Sequence, residues 1–312
     1  MEKDTLSSTH SMQQTMPFDL ENRIITALTD SESELWFPHL TYDLMRVGLQ
    51  RIYDKTNITE EEYATVRVIQ KDADAKRVFE GSVFTRIDQG EIKNETFVEM
   101  LPASIKEQYK DSGVDFYTRE ELRINNEIKD CLRHAFEIIR CISSLFSSVR
   151  YLVKSIHLIK PEDDEYDISF SEPYIPFTIF VSVPQKNNLI NALRVAEAII
   201  HEAMHLQLTL IEDIIPLVIS SSEKVYSPWK SEYRTLGGII HALYVFRNID
   251  LFFEALARCL PNSIKSEEKY ISSRRTTIHF EIEQIQSLNN HISLTYIGKQ
   301  FVNLNLLRRL HN

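Results

Sequence analysis

Glycine and proline are scarce in this chain, which has 7 glycines and 10 prolines among its 312 residues. Because these residues punctuate secondary structure, long uninterrupted stretches remain, and most of them carry apolar residues at helical spacing. Cysteine is also rare: the three cysteines are scattered and form no C-x-x-C pair. A disulfide framework is therefore excluded, and a reducing cytoplasm is the expected compartment.

Positive charge is in deficit, and long apolar runs are missing. The 35 Lys and Arg residues face 45 Asp and Glu residues, for a formal net charge of −10 at pH 7. A general binder of nucleic acid or of anionic membranes needs excess positive charge, so neither partner is expected. Arg274 and Arg275 are interpreted as part of a solvated helix face.

Residues 1–16 lack the apolar core of a secretory signal, and no run of about 18 apolar residues would span a bilayer.

The periodicity predicts a mainly α-helical fold with a small β-sheet, of the α+β class. Strands are expected where β-branched and aromatic residues cluster, over residues 151–159, 166–170 and 176–183. Helices are expected over residues 18–29, 34–53, 60–79, 120–149 (as one helix or two), 188–212 and 236–259, with two more before residue 312. We expect a disordered tail over 1–16 and a single integrated domain over 17–312. In that domain a helical region (17–149) packs on a metal-site region (150–312).

The most informative motif is the HExxH sequence from His201 to His205. Two histidines four residues apart on a helix lie about one turn apart on one face, so they can hold one metal ion between them. The strand over 176–183 leads into this helix, and such a strand-to-helix unit is a common, zincin-like scaffold of zinc-dependent peptidases. The alternative is a pair of helix-surface histidines without a metal.

A metal site needs a third ligand, and several residues are candidates. The metzincin pattern is excluded, because Leu208 and Ile211 stand where it requires Gly and His. A thermolysin-like site would take a glutamate from Glu223, Glu232 or Glu254.

His241 is the stronger candidate for the third ligand. It follows Gly237 and Gly238 by one helical turn, and paired glycines allow a helix start to approach another element closely. The alternative for His241 is a buried histidine that bonds a backbone carbonyl.

Residues 201 to about 253 resemble a known family. The resemblance rests on the HExxH motif, Pro228-Trp229-Lys230, Arg234 and the segment from Leu236 to Phe246 at their spacing. The family comprises HExxH-containing proteins found with ribosomally made, post-translationally modified peptides. Its members are iron(II)- and 2-oxoglutarate-dependent peptide β-hydroxylases. Thr235 stands where the family usually has Pro.

The resemblance implies a ligand set and a reaction. His201, His205 and His241 would bind iron(II), and Arg234 would bind the distal carboxylate of 2-oxoglutarate, for which a guanidinium is well suited. Trp229 could form an apolar wall around the site. The substrate would be a precursor peptide. Glu202 would orient a water or a ligand histidine.

Two other functions remain open from the sequence. A zinc metallopeptidase would use Glu202 as the general base on a metal-bound water. A non-catalytic peptide-binding protein would carry the same motif as a structural or vestigial site.

Overall fold

The structure is a computed structural model that describes residues 18–56, 96–101, 106–107, 109, 112–163, 167–171, 177–219, 223–259 and 265–307. The predicted tail and the predicted helix over 60–79 lie outside these residues. The fold is mainly helical with small sheets, as predicted. Its described helices are α1 (Phe18–Thr29), α2 (Pro38–Thr56), α3 (Arg119–Ile124), α4 (Asn126–Arg140), α5 (Ser143–Leu152), α6 (Leu189–Glu212), α7 (Leu236–Cys259), α8 (Glu268–Glu283) and α9 (Tyr296–Phe301).

Helix ends follow local capping chemistry. The Asn188 side chain accepts the N–H of Asn191 and starts α6 within one residue of the predicted position. The predicted helix over 120–149 is instead three helices, and this prediction was too coarse. Asn125 ends α3 and caps α4 with its side-chain oxygen, which explains the first break. Helix α2 begins at Pro38 rather than at residue 34, because Phe37 has a positive φ of 35° that no α-helix accepts.

The main sheet has the strands β1 (Phe97–Val98), β2 (Asp115–Phe116), β3 (Ser155–Lys160), β4 (Ser169–Ser171) and β5 (Thr178–Ser182). β1, β3 and β5 are parallel neighbours, and β4 lies antiparallel at the far side of β5. β2 pairs antiparallel with the second half of β3. The three predicted strands are present, but the first starts later than expected because α5 continues to Leu152.

The sheet separates two hydrophobic clusters of unequal size. Ile156, Leu158, Ile179 and Val181 belong to the main core, which also contains apolar residues of every helix from α1 to α9. Phe180 points to the other face and belongs to a small cluster with β2 and Ile159. This alternation is the two-residue period of a strand. The main core therefore lies between the sheet and the helices, with α6 and α7 at its centre.

A second, two-stranded sheet precedes α7, where the sequence predicted only a loop. β6 (Lys224–Ser227) and β7 (Glu232–Thr235) form an antiparallel hairpin with Tyr226 opposite Tyr233. Pro228 occupies the turn position that proline favours, and Ser231 has a positive φ of 52° at the end of the turn.

Helix α7 has the length and mean composition of a membrane span, although Arg247 and Asp250 interrupt it, so it is not the unbroken apolar run whose absence the sequence indicated. However, 67% of its most apolar window is buried inside the protein. That burial is typical of the core helix of a soluble protein.

Candidate metal centre

Helix α6 presents four polar side chains along one face toward α7 and α8. Glu197, His201, His205 and Glu212 follow one another at intervals of four, four and seven residues, which keeps them on one side of a helix. Most of the other residues of this helix are apolar and buried in the main core, and Glu202 and Gln207 are buried polar exceptions. The amphipathic pattern therefore fixes the direction in which both histidines of the motif point.

His205 contacts both of the other predicted ligands. Its Nε2 lies 3.2 Å from Nε2 of His201, and its Nδ1 lies 3.2 Å from Nδ1 of His241 on α7. The rings of His205 and His241 are stacked, with an interplanar angle of 17°. The three residues that the sequence predicted as ligands therefore lie together, and His205 contacts each of the other two.

The three rings form a row rather than a convergent set. His205 turns opposite ring nitrogens to its two neighbours, so one point cannot be shared by all three as they lie. Within the part of the chain that the structure describes, no group of three His, Cys, Asp or Glu side chains is arranged to hold a metal ion. A common metal for these histidines therefore stays a prediction, and it requires a change of ring orientation at His241.

The distance between the two motif histidines suits a metal. Two ligands about 2.1 Å from one ion, at the angles of tetrahedral or octahedral coordination, lie about 3.0–3.4 Å apart. The 3.2 Å between the two Nε2 atoms falls in that range.

Both motif histidines are neutral near pH 7. Burial, with smaller effects of the charges of Arg274 and Lys230, lowers the pKa of His201 to about 4. Burial and the neighbouring histidines lower the pKa of His205 to about 2. Neutral imidazole is the form that binds metals.

Glu212 is a site residue that the sequence interpretation missed. Its Oε2 lies 2.8 Å from Nε2 of His241, and both side chains are about a quarter exposed or less. A carboxylate in this position fixes the orientation and tautomer of a histidine. The helical spacing from His205 was the signal that could have found it.

The three carboxylates considered as alternative ligands are all engaged elsewhere. Glu223 pairs with His291, Glu232 with Arg234, and Glu254 with Arg258.

Glu202 points away from the histidine row, toward the main sheet. It is 3% exposed, and its Oε1 accepts a hydrogen bond of 2.7 Å from the Ser169 hydroxyl on β4. Burial raises the pKa of its carboxyl to about 7, although hydrogen bonds from Ser169 and Ser171 act in the opposite direction. The group can therefore hold or release a proton near neutral pH.

Aromatic rings cover one side of His201. The Trp229 indole stacks on Phe246 with centroids 5.2 Å apart, and Phe246 meets the His201 ring edge-on at 5.5 Å. This places Trp229 one ring away from His201, and its role as an apolar wall stays a prediction.

Arg274 also belongs to this neighbourhood. Its Nε and Nη2 both donate to Oε1 of Glu197, at 2.8 and 2.6 Å, and its guanidinium carbon lies 5.5 Å from the Phe246 ring centroid. Arg275 donates to the buried Asp250 at 2.8 Å. The interpretation of both arginines as a solvated face was therefore wrong.

Arg234 lies on β7 with its side chain 48% exposed and its Nε 3.4 Å from Oε1 of Glu232. Exposed pairs of this kind contribute little to stability. The binding of 2-oxoglutarate by Arg234 stays a prediction.

No known protein-family profile matches the chain, and no curated protein is significantly similar to it.

Proposed function

We propose that the protein is an iron(II)- and 2-oxoglutarate-dependent hydroxylase that modifies a β-carbon in a ribosomally made peptide. The observation that supports it is the direct contact of His201, His205 and His241 between two core helices, at a place where burial keeps the motif imidazoles neutral. The motif helix follows β5, and β4 lies antiparallel beside that strand; a zincin-like scaffold is part of this proposal.

The donor types, three imidazoles, suit a non-haem iron centre, provided that the His241 ring turns toward the other two. Three neutral imidazoles would leave the charge of a divalent ion to attract a dianionic cosubstrate, and would leave coordination positions open. When bound, iron(II) with 2-oxoglutarate and O₂ would supply the oxidising chemistry that converts a C–H group to C–OH.

The remaining site residues would position and protect this chemistry. Glu212 holds the His241 ring through its Nε2 in the present orientation, so this carboxylate would have to turn with the ring when a metal binds. Trp229 and Phe246 would exclude water from the side of His201. Arg234 would have to leave Glu232 in order to bind the distal carboxylate of the cosubstrate.

A zinc metallopeptidase is the alternative, and one observation favours it. The Glu202 carboxyl has a pKa raised to about 7, in the range that suits a general base. Its hydrogen bond to Ser169 directs it toward β4, however, and that contact equally fits a positioning role.

The test is anaerobic reconstitution with iron(II), followed by assay of 2-oxoglutarate turnover with a small peptide encoded beside the gene. We expect succinate and a peptide heavier by one oxygen atom, and neither product from the His201→Ala variant. Zinc-loaded protein is the matched control. Peptide cleavage by the zinc form, without succinate from the iron form, would establish the peptidase instead.

A further inference from the structure

The β6–β7 hairpin exposes an aromatic and cationic surface. Tyr226 is 42% exposed and Tyr233 is 66% exposed, and their rings meet edge-to-face with centroids 5.7 Å apart. The strand period places Lys224 on the same side as these tyrosines, and Lys230 projects from the exposed turn. We call Lys224, Tyr226, Lys230 and Tyr233 the docking face.

The charge of this face is opposite to that of the chain. Residues 224–235 carry two lysines and one arginine against one glutamate, within a protein of net charge −10. Arg234 is paired with Glu232. Neither Lys224 nor Lys230 forms an ion pair with any residue that the structure describes. Two cations without acidic partners, in a chain so rich in carboxylates, indicate a surface suited to an anionic ligand.

The docking face is joined to the candidate metal centre. Trp229 in the hairpin turn stacks on Phe246, which contacts His201. A chain lying along the hairpin would therefore have one end at the turn, close to the histidines.

We propose that the docking face binds an acidic segment of the substrate peptide. Carboxylates of the peptide pair with Lys224 and Lys230, and an apolar or aromatic side chain packs on Tyr226 and Tyr233, as tyrosines do at protein interfaces. The neighbouring segment of the peptide then lies at the hairpin turn, where Trp229 and Phe246 stand between it and His201. This inference rests on the proposed function only for the statement that the docked peptide is the substrate.

The experiment measures docking without metal or cosubstrate. A short fluorescein-labelled peptide of alternating Glu and Leu is titrated with the metal-free full chain, and its fluorescence anisotropy is followed. The control peptide carries Gln in place of every Glu. We expect the acidic peptide to bind about tenfold or more tightly than the Gln peptide, and the difference to shrink as salt screens the charges.

Three variants locate the binding surface. Lys224→Glu with Lys230→Glu should weaken binding of the acidic peptide about tenfold or more, and Tyr226→Ser with Tyr233→Ser should weaken binding of both peptides. Lys269→Glu is the control for each single lysine substitution, since it makes the charge change of one of them at an exposed position of α8, and it should leave binding unchanged. Circular dichroism melting shows whether each variant is folded; a pair that fails to fold is replaced by its single substitutions.

Several results would overturn the proposal. These are equal binding of both peptides, an equal loss in Lys269→Glu, or no binding of the acidic peptide. A dimer that becomes a monomer in the tyrosine variant, without peptide binding, would make this face an interface between copies of the chain. If the peptide binds but 2-oxoglutarate is not turned over, the docking proposal stands and the proposed hydroxylase function is wrong. If 2-oxoglutarate is turned over but the peptide does not bind, the docking proposal is wrong and the hydroxylase function stands.

Discussion

Glu202 is the residue at which the two candidate reactions differ most. A peptidase needs its carboxylate to activate water, whereas a hydroxylase needs no such base. In the structure this carboxyl accepts a hydrogen bond from Ser169 and faces the sheet rather than the histidine row. A glutamine can accept the same bond through its amide oxygen.

We expect Glu202→Gln to retain metal binding and to lower hydroxylation by less than about tenfold, because it keeps the polar contact with β4 and removes only a proton-transfer group. A peptidase should lose nearly all turnover on the same substitution. The measurement is product formation by the iron-loaded and zinc-loaded variant, with metal content determined in parallel. Complete loss of hydroxylation with metal retained would mean that Glu202 takes part in the oxidation.

Among the secondary-structure elements, α6 and α7 determine whether the site exists. Each carries part of the histidine row, and Glu212 of α6 reaches across to His241 of α7. A metal between them would be bound by both helices.

We expect His201→Ala, His205→Ala and His241→Ala each to weaken binding of iron(II) or zinc more than Glu212→Gln does. Loss of a carboxylate that orients a ligand costs about 10- to 100-fold in metal affinity, and loss of the ligand itself costs more. Competition with a chromogenic chelator measures the affinities, and His134→Ala on α4 is the control. If His241→Ala left the affinity for iron(II) and zinc unchanged, His241 would not be a ligand.

The sequence predicted some elements closely and missed others for a physical reason. α7 has the predicted ends, and α6 begins within one residue of its prediction, because apolar spacing and the Asn188 cap are local signals. The β6–β7 hairpin was missed, since two short strands gain stability from contacts distant in sequence, such as Trp229 on Phe246.

The site was predicted to a similar extent. The contact of the two motif histidines follows from helical spacing. The close approach expected at the glycine pair before His241 was wrong, because a Cβ at Gly237 would meet nothing within 4 Å and one at Gly238 would meet only the Thr235 side chain. The partner of Arg274, Glu197, lies 77 residues away, so its ion pair is visible only in the folded chain.

At the scale of the whole molecule, a buried polar network joins the site helices to the N-terminal helices. The Gln207 amide on α6 donates to the carbonyl of Trp36 and to the Thr41 hydroxyl of α2, at 2.8 and 2.7 Å. The Tyr244 hydroxyl on α7 lies 2.7 Å from the carbonyl of Leu35 and 2.5 Å from Oε1 of Gln207. All five of these residues are buried.

We expect Tyr244→Phe to lower the free energy of unfolding by about 1–3 kcal/mol, because it leaves one buried acceptor, the Leu35 carbonyl or Oε1 of Gln207, without its donor. Urea denaturation followed by circular dichroism measures the change. Tyr296→Phe, at a position that is 74% exposed, should change the stability by less than about 0.5 kcal/mol. Equal effects of the two substitutions would show that the network contributes nothing specific.

The same network limits how this protein can be divided or reused. A fragment limited to the metal-site region would keep the HExxH helix but would lose Leu35, Trp36 and Thr41, and it would expose the apolar side of α6 to water. The three histidines therefore cannot be moved to another protein on the motif helix alone. A chimeric protein that contains the motif helix also has to contain the N-terminal helices. Insertions and deletions are tolerated only outside the buried interface between these helices and α6 and α7.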